Sequence, residues 1–122
     1  MKQTLAILVT AILSHAAAHS FAGQAEIVEA SADCERSVCE FTATIRHGDT
    51  GWDHYVNRWD VLTPGGEVLG TRVLHHPHVD EQPFTRSLSD VGIPDGAKKV
   101  RIRAHDSLHG HGSEEFLLDL KL

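Results

Sequence analysis

From residue 25 onward this chain consists of short runs that alternate apolar and polar residues, each closed by turn formers, and that pattern restricts it to antiparallel β-structure. Residues 39–45 are the clearest case. Cys39, Phe41, Ala43 and Ile45 share one face, and Glu40, Thr42 and Thr44 share the other. In residues 55–63, Tyr55, Asn57, Trp59 and Val61 oppose Val56, Arg58, Asp60 and Leu62. Pro64-Gly65-Gly66 reads as a hairpin turn before a return strand over 67–75. Further strands are expected over 84–91, over 99–105 after the turn Pro94-Asp95-Gly96, and over 116–122. With an apolar strand over 25–30, these make seven strands at the spacing of a sandwich. The expected fold is all-β, a seven-stranded antiparallel immunoglobulin-like β-sandwich occupying residues 19–122 as one domain. Trp59 would fill the space between the sheets.

The first 22 residues do not belong to that pattern. Lys2 precedes an apolar run over 5–13 that only Thr10 interrupts, and Ala16-Ala17-Ala18 follows. This is the layout of a secretory signal peptide over 1–18, with Ser20-Phe21-Ala22 offering a second cleavage point after residue 22. The alternative is a buried N-terminal helix, but nothing after Ala18 continues a 3.6-residue period. The run is far shorter than the roughly 20 residues of a membrane helix, and no later stretch could span a bilayer. A soluble periplasmic or secreted protein is expected. Losing the signal removes Lys2, so the formal charge moves from −6 to −7. That balance argues against nucleic acid or an anionic membrane as a partner. In an exported chain Cys34 and Cys39 are expected to form a disulfide; a metal-thiolate pair is the lesser reading.

Ten histidines in 122 residues are many for such a domain. In an immunoglobulin-like topology three connections meet at one pole. The second-to-third strand connection carries His47, Asp49, Asp53 and His54. The fourth-to-fifth carries His75, His76, His78, Asp80 and Glu81. The sixth-to-seventh carries His105, Asp106, His109 and His111. His19 precedes the first strand, which starts at the same pole. Neutral imidazole is the commonest protein metal ligand and suits zinc, copper, iron and nickel, often beside a carboxylate. The plain alternative for any one of them is an ordinary loop histidine. A Ser-His-Asp triad is disfavoured, because no serine sits in a G-x-S-x-G context.

Two segments resemble the iron domain of superoxide reductases and desulfoferrodoxins. Asp106-Ser107-Leu108-His109-Gly110 is similar to the family's C-N-x-H-G stretch. His47, then His54-Tyr55-Val56 and Trp59, is similar to its H-P-x4-H-[HY]-I-x-W stretch. The resemblance implies an immunoglobulin-like sandwich with a mononuclear iron held by His47, His54, His109 and His19. Asp106 stands where the family has an axial cysteine. It implies superoxide or another small oxidant as substrate, and an electron donor. Gly48 replaces the family's proline, and 48–53 hold no counterpart of the lysine that the family keeps near the open iron position. A thiolate pushes electron density onto iron far more than a carboxylate does, so metal binding carries over better than superoxide reduction. Three functions follow as alternatives: a superoxide reductase-like enzyme, an exported copper- or zinc-binding carrier drawing also on His75, His76, His78, His105 or His111, and a metal-free interaction sandwich. An N-terminal His19 would favour copper, since its amine and imidazole chelate together. No catalytic residue beyond these ligands is assigned.

Overall fold

A computed structural model describes residues 23–122; the expected signal segment and His19 lie outside the described residues. Eight strands follow in order: β1 (Glu26–Glu35), β2 (Val38–Arg46), β3 (Val56–Leu62), β4 (Val68–Val73), β5 (Phe84–Gly92), β6 (Lys99–Asp106), β7 (Gly110–His111) and β8 (Phe116–Asp119). They form two antiparallel sheets. One has the order β1-β2-β5; the other has the order β4-β3-β6, with β7 and then β8 pairing along the free edge of β6. The all-β sandwich follows from period-2 strands, each with one apolar face to bury. Phe41, Ala43, Ile45, Phe84, Val56, Trp59, Val61 and Ile102 fill the space between the sheets.

Three details depart from the seven-strand expectation. The first strand continues to Glu35, so Cys34 and Cys39 face each other across a tight hairpin and are joined by a disulfide. Arg36 and Ser37 at its tip both take positive φ, the turn geometry that matches strand twist. The additional strand, β7, has two residues and therefore no period by which it could be recognised. In β3 the register shifts between Val56 and Arg58. This bulge brings both Val56 and Trp59 to the core and turns Asn57 outward, reversing the simple alternation at that end.

Strand parity also positions polar groups. Cys39, Phe41, Ala43 and Ile45 of β2 point inward, and His47, one step past the strand, keeps that parity and is buried. On β6, Val100, Ile102 and Ala104 point inward, and Asp106 is the next residue in that row, 1% exposed. Two polar side chains are thus delivered to the same end of the core by the same alternation that buries the apolar ones.

Candidate metal centre

Three imidazoles and one carboxylate meet at this end. One ligand atom each from His47, His54 and Asp106 lies within 4.8 Å of the others. His54 comes from the loop just before β3, and His109 from the turn between β6 and β7. His54 Nε2 and His109 Nδ1 are 3.1 Å apart. Asp106 Oδ2 is 3.7 Å from His47 Nε2 and 3.4 Å from His109 Nδ1, and Asp106 Oδ1 is 3.5 Å from His54 Nε2. Donors at about 2.0–2.2 Å from one ion stand roughly 3.0–3.4 Å apart. The ring nitrogens and the carboxylate are close to that spacing.

The donor set fits a cation. The Asp106 carboxyl is buried, which alone would raise its pKa. The backbone N–H groups of His109 and Leu108, which donate to Oδ1 at 2.6 and 2.8 Å, and the neighbouring His47 and His109 rings more than offset that. The carboxyl titrates below its ordinary value and is ionised at neutral pH. Its Oδ2 is buried and has no hydrogen-bond partner among the described residues. A buried anionic oxygen without a partner is costly unless a cation or donor meets it. The two backbone bonds fix Oδ1 and turn Oδ2 toward the imidazoles.

His47 is oriented from behind. Its Nδ1 is hydrogen-bonded to Asp49 Oδ1, which fixes the ring plane and leaves Nε2 facing the centre. Asp49 is itself buried and also accepts the backbone N–H of Val56 (3.1 Å) and of His78 (2.8 Å). One carboxylate therefore ties the β2–β3 loop, the start of β3 and the β4–β5 loop together. This arrangement of carboxylate, imidazole and open nitrogen is how proteins fix the tautomer of a metal-ligating histidine. Sequence reasoning placed Asp49 in the right loop without a role; its spacing of two from His47 was the available signal. Gly23 was also missed. Its carbonyl oxygen lies 3.1 Å from His47 Nε2, 3.1 Å from His54 Nε2 and 2.7 Å from His109 Nδ1.

The other histidines stand apart. His105 and His111 face each other across β6 and β7 on the outer face of the sheet, with ring centroids 4.9 Å apart. His105 Nδ1 lies 2.6 Å from Asn57 Oδ1. His75 and His76 are exposed on the β4–β5 loop. His78 is buried, stacked on Phe84 at 4.0 Å, with Nε2 at 3.1 Å from the Arg86 guanidinium. It approaches the centre only through Asp49. His19 lies outside the described residues.

Burial and then Arg86 hold the pKa of His78 below 6.5, and burial and then Arg58 do the same for His105. A histidine whose folded pKa is lowered binds fewer protons folded than unfolded, so stability rises with pH through that range. The contribution is complete above about 6.5 and is lost as pH falls toward the lowered values. Urea midpoints of the metal-free protein should therefore decline from pH 7.5 to pH 5.5, and decline less steeply in His78→Gln. Equal slopes in the two proteins would refute the assignment to His78.

No family model matches the chain. A protein of Halomicrobium mukohataei named "Putative lipoprotein" is 41% identical over 80 residues, which are 66% of this chain and 39% of that protein. The chain thus spans well under half the length of that relative. Among solved structures, a superoxide reductase (1Fe-SOR) from Giardia intestinalis aligns with 78% of this chain and 99% of its own at 18% identity, with a TM-score of 0.45. Among the described residues no helix is long and apolar enough to cross a membrane.

Proposed function

We propose that this is an exported protein that holds a single transition-metal ion at His47, His54, His109 and Asp106. The orphaned Oδ2 of Asp106, facing the imidazole nitrogens of His47 and His109, carries this reading. The disulfide between Cys34 and Cys39 supports an oxidising compartment, periplasmic or extracellular. Imidazole with one carboxylate suits zinc, copper(II) and iron(II).

Binding or carriage of the ion is favoured over superoxide reduction by the chemistry of the sixth-strand ligand. Asp106 shares its charge with two backbone N–H groups through Oδ1, and a carboxylate so engaged donates little electron density to a metal. An iron ion would supply one-electron chemistry here; the chain's own residues hold it, shield it with the ends of the two sheets and keep the carboxylate ionised.

The test is metal stoichiometry and affinity for Fe(II), Zn(II) and Cu(II) on the exported, disulfide-bonded protein, beside a superoxide assay of the iron-loaded form. One equivalent is expected, with affinities in the Irving–Williams order, and Asp106→Ala should weaken binding at least tenfold. Iron oxidation by superoxide well above the rate of free ferrous ion, lost in Asp106→Ala, would establish the enzyme reading instead. Failure to bind any of the three ions would leave only a metal-free sandwich.

A further inference from the structure

We propose that signal cleavage falls after Ala22, and that the new N-terminal residue, Gly23, is itself a metal ligand through its carbonyl oxygen and its α-amine. The inference rests on the metal-site reading above and adds to it a ligand made by processing.

The carbonyl oxygen of Gly23 already occupies the focus of the site, within 2.7–3.1 Å of all three ring nitrogens. The His47 Nε2 contact is at hydrogen-bond distance, and a carbonyl oxygen can only accept, so an ion bound there would take the place of a ring proton. Ring nitrogens, a carbonyl oxygen and the Asp106 carboxylate then converge on one point, an array of donor atoms that a cation can fill. Small movements would bring the oxygen and the nitrogens to coordination distance of a common ion.

The fold, rather than whatever precedes residue 23, holds Gly23 there. The Gln24 side-chain oxygen accepts hydrogen bonds from the Ser113 backbone N–H at 3.2 Å and the Ser113 hydroxyl at 3.0 Å. Ala25 is buried, and its carbonyl oxygen lies against Gly112, where a β-carbon would stand only 2.5 Å from it. Position 23 also has little room for a side chain. A β-carbon there would stand 2.6 Å from His109 Cε1, so that ring would have to move. A side chain would push the carbonyl away from the imidazoles.

Ser20-Phe21-Ala22 places small residues at the positions a signal peptidase reads, directly ahead of this glycine. Hydrolysis of the Ala22–Gly23 peptide bond by that peptidase consumes one water, leaving a carboxylate on Ala22 and an amine on Gly23. The amine and carbonyl oxygen of one residue close a five-membered chelate ring, and an unprotonated α-amine is a good ligand for copper and zinc. Within an uncleaved chain the same nitrogen is an amide, which is a poor one.

The experiment compares two forms of the protein: the exported protein, and the same chain extended by Ala22 alone and acetylated at the Ala22 amine, which removes the anchor that would let Cu(II) take the Gly23 amide. Intact mass of the exported protein should show loss of residues 1–22. Titrated with Cu(II) and Zn(II), the extended form should bind at least tenfold more weakly. In protein labelled with 15N-glycine, the Cu(II) resonance spectrum of the Gly23 form should show hyperfine coupling from the labelled amine, and the extended form should not. A mass beginning at His19, equal affinities, or unchanged hyperfine structure would overturn the proposal while leaving the histidine site standing. If neither form binds either ion, both this proposal and the metal-site reading fail together.

Discussion

Asp49→Ala is expected to destabilise the metal-free protein by about 3–5 kcal/mol, the range for removing one partner of a buried charged network. The reason is the number of groups that depend on this one carboxylate. Its loss strands the His47 ring and the backbone N–H groups of Val56 and His78, all in places water does not reach. Each buried donor left without an acceptor costs about 1–3 kcal/mol. Two loops and the start of β3 would be released together. Urea unfolding in the presence of a chelator measures this directly, and the midpoint should fall with little change in slope. Asp49→Asn preserves shape but cannot accept all three bonds, so a smaller loss is expected, together with roughly 10–100-fold weaker metal binding. Stability of Asp49→Ala within about 0.5 kcal/mol of the parent, the usual range for an inconsequential surface change, would show that the carboxylate does not organise this pole.

His54→Ala and His109→Ala should behave in the opposite way. The His109 side chain is 42% exposed and that of His54 17%, so neither supports much of the core, and the metal-free stability should hardly move. Metal affinity should fall on the order of 100-fold for each. A four-ligand zinc site is worth about 10–16 kcal/mol in apparent binding energy, so one ligand accounts for roughly 3 kcal/mol, and 1.4 kcal/mol is a factor of ten. The control is His76→Ala, an exposed histidine outside the cluster, which should leave affinity unchanged. Competition titrations against a chromophoric chelator read all three. If His76→Ala weakens binding as much as His54→Ala, the ion sits elsewhere.

Much of this was legible from residue alternation alone. Period two in 39–45 and 99–105 identified the buried rows of β2 and β6, and the same parity carries inward to His47 and Asp106. That parity also separates His105 from the centre: it belongs to the row of Arg101 and Arg103, on the outer face. Grouping every histidine at one pole by loop membership overlooked this. His111 follows His105 outward because the two pair across β6 and β7. The bulge in β3 was not legible, since alternation has no term for an extra residue. Gly23, and the role of Asp49 beyond its spacing of two from His47, were illegible for another reason. Their roles depend on what approaches from 29 and 86 residues away, and no local pattern encodes a backbone carbonyl or a carboxylate acting on a distant loop.

The distances along the chain between the converging groups have a consequence for when the site exists. His54 and His109 are 55 residues apart, and Gly23 and His109 are 86 apart. Contacts so remote in sequence form late, after both sheets have closed on each other, because loop closure must be paid before they return anything. The unfolded chain therefore lacks the complete centre and holds only local ligand pairs, His47 with His54 and Asp106 with His109. If the chain is exported and binds an ion as proposed, it would cross the membrane unfolded and acquire that ion only where it folds. On the proposed reading, the metals available in the compartment where the sandwich closes, rather than in the one where the chain is made, would help decide which ion fills these donors.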